Sequence, residues 1–175
     1  MKIFIEDIAD KLEELNEDWI AFLKNSTGEI VDVGVQYYGI AEELYEDDEI
    51  PSHLADWEKD FVQTALGVVN NFGDYAELPR HFDIHEYSII EDFAESIADY
   101  KKRAILYQAI EDKGAFWRFK DKLYELGLSE LWFAYKYESL CRIAIRWCDE
   151  REISYRFKEE KRGGLHVDEK RNDAN

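Results

Sequence analysis

WIAFLKNSTGEIVDVGV, residues 19–35, decides the fold class. Its two halves carry the β-branched and aromatic residues that strands prefer, and Asn25 to Gly28 between them have turn composition, so the stretch predicts a β-hairpin. The segments on either side read as helix. Upstream, Ile5, Ile8, Leu12 and Leu15 recur at the spacing of one helix face within residues 5–16. Downstream, AEELYEDDEIP places six acids between Glu42 and Glu49 and stops at Pro51, the composition of a solvated helix end and linker.

Further on, HLADWEKDFVQTALGVVNNFG is amphipathic and closes on a helix-stop composition. LPRHFDIHEY then introduces a helix over residues 84–99, with Asp83 and Glu86 at capping-box spacing and Ile90, Phe93, Ala94 and Ile97 as its apolar stripe. Helices over residues 101–112, 115–126 and 129–150 follow, the last two separated by Gly127 as C-cap and Ser129 as N-cap. The expected fold class is α+β and predominantly α, a small N-terminal β-hairpin with a C-terminal helical bundle. Residues 1–157 are expected to form a single globular domain, with a two-lobe split near 50–80 as the alternative. The polar segment 158–175 has too few apolar residues to fold alone.

Charge is partitioned along the chain. Residues 1–100 hold 5 Lys/Arg against 26 Asp/Glu, a balance of −21, whereas residues 101–175 hold 17 against 14, a balance of +3. A field of that sign repels phosphate backbones and acidic membranes and attracts basic proteins. The N-terminal MKIFIEDIADK has no signal-peptide pattern, and no stretch approaches a membrane span. Cys141 and Cys148 lie seven apart on one helix face, about 10 Å from each other and beyond disulfide reach, as reduced thiols would in a cytoplasmic protein.

The ordered set FLKNSTGEI, LPRHFDIHEYSIIEDF and KGAFWRFKDKLYELGLSELWFAYK resembles uncharacterised protein family 0158, a group of small bacterial proteins, over residues 1–152. The resemblance implies no activity, substrate or catalytic residue, because that family is defined by its sequence pattern. The acidity of residues 42–49 and the basic tail after Arg156 fall outside the shared pattern.

Two helices carry the basic and aromatic residues that a partner would use. In GAFWRFKDKLYELG, residues 114–127, a helical wheel gathers Phe116, Phe119, Leu123 and Leu126 into a core stripe, with Trp117 and Tyr124 on its flank and Arg118, Lys122 and Glu125 pointing away. Lys120 falls inside the apolar half, so its stem snorkels along the aromatics or its ammonium is partly buried. In the last helix, Phe133, Tyr137, Leu140, Cys141, Ile143, Ala144, Ile145, Trp147 and Cys148 cover a wide apolar arc, which predicts a central helix. Its remaining sector carries Trp132, Tyr135, Ser139, Arg142 and Arg146. Arginines interleaved with aromatics stack on bases or clamp anions. The competing expectation is that Arg142 and Arg146 pair with carboxylates of the acidic half.

Sites for chemistry are sparser. HFDIH sets His81, Asp83 and His85 at alternate positions, weak candidate metal ligands that an extended segment would place on one side, but no fourth ligand is specified and Asp83 competes as a helix cap. The expectation is therefore no metal site and no cofactor. Phosphate loops, nucleophile elbows and HExxH motifs do not occur. The leading expectation is a non-enzymatic interaction or regulatory module whose acidic surface binds a basic protein partner. The alternative is a nucleic-acid-associated protein using the stripe of Trp132, Tyr135, Arg142 and Arg146 together with Lys113, Arg118 and Lys122, with Lys120 a further partner-binding candidate, and an enzyme with a dispersed site comes third.

Overall fold

The computed structural model describes residues 3–44, 49–111 and 115–158. The chain opens with β1 (Ile3–Phe4) running straight into α1 (Ile5–Glu14), followed by β2 (Trp19–Lys24), β3 (Ile30–Gly34) and α2 (Val35–Glu43). Next come α3 (Asp56–Val69), β4 (Tyr75–Glu77), a 3-10 turn (His81–Ile84), α4 (Glu86–Ser96) and α5 (Tyr100–Ile110). The chain then forms α6 (Ala115–Glu125), α7 (Ser129–Glu150) and β5 (Tyr155–Arg156). The fold is predominantly α with a small antiparallel sheet, as the sequence predicts.

The hairpin forms as read. β2 and β3 pair antiparallel with Leu23 opposite Ile30 and Trp19 opposite Gly34, and Gly28 takes the positive φ of 79° that lets the chain reverse. β2 is the middle strand of the order β3-β2-β4. Its four central residues are all buried because side chains alternate across a covered sheet. Ile20 and Phe22 meet Tyr37, Ala41, Val62, Ala65 and Val68 of α2 and α3 on one side. Ala21 and Leu23 belong to the larger core built by α1 and by α4 to α7 on the other.

Three short strands were not legible in the sequence. β4 joins β2 antiparallel with Phe22 opposite Glu77, and β1 pairs in parallel with β5, Ile3 opposite Tyr155. Strands of two or three residues are too short to display a period.

The long helix α7 is central, as its wide apolar arc predicts. Leu140, Cys141, Ala144, Trp147 and Cys148 are buried, while Ile143 is half-buried. Trp147 Nε1 donates to the Glu77 carbonyl at 2.9 Å and the Tyr137 hydroxyl donates to Asp10 Oδ1 at 2.9 Å, tying α7 to the sheet and to α1. Burial and the Asp10 carboxylate push the Tyr137 phenol well above its ordinary pKa.

Three sequence expectations need correction here. Phe133, placed in the apolar arc of α7, is 62% exposed: the arc is wider than the face that the described residues cover at the start of the helix. Ser129 does not cap α7; Leu128 holds the N-cap position and Ser129 is the first helical residue. Its neighbour Gly127 does close α6, with φ 66° and the paired bonds of a Schellman motif, Leu128 N–H to the Leu123 carbonyl at 2.8 Å and Gly127 N–H to the Tyr124 carbonyl at 3.1 Å. Finally, Asp83 caps the 3-10 turn rather than α4: its Oδ2 accepts from Arg80 N–H at 2.9 Å, and His85 occupies the N-cap of α4.

Candidate functional site

The exposed stripe of α7 and the HFDIH segment, separate in the sequence, form the two walls of one groove. Asp83, His85, Ser88 and Asp92 lie on the side of the 3-10 turn and α4; Tyr135, Ser139, Arg142, Arg146 and Glu150 lie on α7, around a volume of about 550 Å³. That volume is in the range of small-ligand sites. Ile84, Ile89, Ile143 and Trp147 supply the apolar floor.

Trp132 is not part of it, which corrects the expected stripe. It is 3% exposed and packed edge-on against Phe93 (5.2 Å between ring centroids) and Phe119 (5.0 Å). On a wheel Trp132 sits between the apolar arc and the arginine stripe, and the large apolar ring turns inward where α4 and α6 meet α7. Tyr135 stays half-buried at the groove, its ring 5.4 Å from Phe93. Burial raises its pKa, Asp92 adds to the rise and Arg142 opposes it.

The expected internal pairing of the arginines is also corrected. Among the described residues, neither Arg142 nor Arg146 has a carboxylate within 4.0 Å. Arg142 instead donates to Ser139 Oγ at 3.3 Å and stands 5.6 Å from the Tyr135 ring centroid. Both arginines are exposed. The groove's acids differ in their commitments: Asp83 accepts from Arg80 N–H and Glu150 pairs with Arg151 at 3.8 Å, while Asp92 has neither an ion pair nor a hydrogen bond among the described residues.

His81, Asp83 and His85 do not form a ligand set. The segment is turned rather than extended, so the alternation that would align them is lost, and His85 adopts a left-handed φ of 50° that histidine tolerates better than most residues. Among the described residues, no group of three or more His, Cys, Asp or Glu is arranged to hold a metal ion.

The basic residues of α6 lie apart from the groove. Lys120 is exposed, with its ammonium 4.2 Å from the Phe116 ring centroid, which is the snorkelling arrangement. Lys122 pairs with Glu125 at 2.6 Å, and Arg118 Nε donates to the Ala109 carbonyl at 3.2 Å. Phe119 and Leu123 are buried as the wheel predicts, with Trp117 and Tyr124 exposed on the flank. Lys113 lies outside the described residues.

A third feature had no signal in the sequence. Glu6 is 2% exposed, and both of its carboxylate oxygens accept from Lys158 N–H at 3.1 Å. Lys158 Nζ meets Asp7 Oδ1 at 2.5 Å, and the Arg156 guanidinium lies 4.0 Å from the Phe4 ring centroid. The Asp7 carboxylate holds the Lys158 ammonium above its ordinary pKa. A basic segment is thus seated against the first turn of an acidic helix. Further along, Asp10, Glu13, Glu14, Glu17 and Asp18 are all exposed, and Glu13, Glu17 and Asp18 have no ion pair among the described residues.

None of the helices in the described residues is long and apolar enough to cross a membrane. No curated protein and no solved structure matches the chain. A family pattern does match, over residues 50–172, so the α4–α7 groove falls inside it while α1 and the β2–β3 hairpin fall outside; the match begins later and ends later than the resemblance over residues 1–152. It takes in more than half of the 175 residues, and the chain belongs to the uncharacterised protein family UPF0158.

Proposed function

We propose that the protein is a non-enzymatic interaction module whose acidic surface, centred on α1, binds a basic segment of a partner protein. The observation that carries this reading is the chain's own Arg156–Lys158 segment, seated on Phe4, Glu6 and Asp7 at the start of α1. Beyond it, Asp10, Glu13, Glu17 and Asp18 continue the acidic surface into solvent. Glu13, Glu17 and Asp18 add little to stability where they stand, and they steer a cationic partner by long-range attraction. The same reading assigns a cytoplasmic setting, in which buried Cys141 and Cys148 stay reduced.

A lysine-rich peptide titrated into the full-length protein tests this reading. Replacing Glu13, Glu17 and Asp18 by Gln, Gln and Asn is expected to weaken binding by about tenfold at low salt and by less as salt rises. Equal affinity of the variant and the native protein refutes it. Nucleic-acid association is the second reading, favoured by the lack of carboxylate partners at Arg142 and Arg146 among the described residues. The burial of Trp132 and the local engagement of Arg118 and Lys122 weigh against it.

A further inference from the structure

The groove between α4 and α7 holds opposite charges on facing walls that do not close on each other. Arg142 and Arg146 are one helical turn apart on α7, about 6 Å along its axis, so both guanidinium groups can reach one anionic group. Each guanidinium carries five donors, and of these one Arg142 donor is engaged, by Ser139 Oγ. Among the described residues the uncommitted acid of the groove is Asp92 on α4, since Asp83 of the 3-10 turn and Glu150 of α7 already have partners. An anion alone would gain from the arginines and lose to Asp92, and a cation alone would do the reverse.

We propose that this groove binds a zwitterionic ligand of the amino-acid or short-peptide class, its carboxylate held by Arg142 and Arg146 and its ammonium by Asp92. Tyr135 lines the same groove with its ring 5.6 Å from the Arg142 guanidinium, and Ile89 and Ile143 supply apolar lining for the atoms between the two charged ends. Charge-assisted hydrogen bonds at both ends give selectivity for ligands that carry both groups. The site is separate from the acidic surface of α1 and does not depend on it.

The test is an amide-resonance titration of the full-length protein with four probes: the dipeptide alanyl-alanine, its N-acetylated form, its C-terminal amide and inorganic phosphate. Alanyl-alanine is expected to shift the resonances of Asp92, Tyr135, Ser139 and Arg142 saturably. Each blocked dipeptide should bind about tenfold more weakly, the worth of one lost charge-assisted contact. Arg142→Gln/Arg146→Gln should abolish the response, whereas Asp92→Asn should weaken the dipeptide and strengthen both the N-acetylated form and phosphate, the two probes that carry only negative charge. No saturable shift in the groove overturns the proposal. So does phosphate binding as tightly as the dipeptide, which would make the groove a simple anion site, or an N-acetylated dipeptide that matches the parent.

Discussion

Trp132→Ala separates a core tryptophan from a ligand-stacking one. The indole is 3% exposed and its ring contacts Phe93 at 5.2 Å and Phe119 at 5.0 Å, both of them fully buried. Truncating a buried aromatic to alanine costs about 3–5 kcal/mol through lost transfer energy and the cavity left behind. Each edge-on aromatic pair contributes about 0.5–1.5 kcal/mol beyond area burial, which favours the upper part of that range because two pairs vanish together. For a domain of this length about 1 kcal/mol moves the midpoint by roughly 2–4 °C, so Trp132→Ala should lower Tm by about 6–20 °C. Urea melts of the same variant should show a reduced midpoint with an unchanged slope. A loss below about 1 kcal/mol would refute the core assignment and return Trp132 to the binding surface.

Three other outcomes follow from the same geometry. Arg142→Ala/Arg146→Ala should change stability by less than about 1 kcal/mol in thermal melts, since no described carboxylate loses a partner; a loss above about 3 kcal/mol would point to internal pairing. Burial lifts the Cys148 thiol from its ordinary 9.0 to about 11, so the folded state holds its proton more tightly than the unfolded chain does. The stability from this group is complete below pH 9 and lost as pH rises towards 11, and the difference between native and Cys148→Ala urea melts should fall across that window. Gly127→Ala should cost about 1 kcal/mol in urea melts, because φ is 66° at that position and alanine is strained there.

The hairpin and the helices were legible because each has a period or a turn composition of its own. The four-residue apolar run in β2 and the stripe Phe116, Phe119, Leu123 and Leu126 report burial directly. Trp132 was misread because a wheel treats a helix of 22 residues as having one environment, while α7 meets α4 and α6 at one end and the sheet at the other. Asp83 satisfied a capping pattern, yet the backbone turned one step earlier and used it on Arg80. The groove was half visible: the α7 stripe and HFDIH were both singled out, but nothing local says that two segments more than fifty residues apart face each other. Glu6 gave no signal, since an acid in the first turn of a helix is ordinary and its partner is the backbone of Lys158, 152 positions away.

On the proposed function, the acidic surface of α1 recognises basic rather than acidic polymers. Equilibrium binding of the full-length protein to a lysine-rich peptide and to single-stranded RNA, each titrated across the same salt series, tests it most directly. The expected result is saturable peptide binding that weakens steadily with salt and no saturable RNA binding at any salt concentration. Saturable, salt-sensitive binding to RNA with none to the peptide would contradict it.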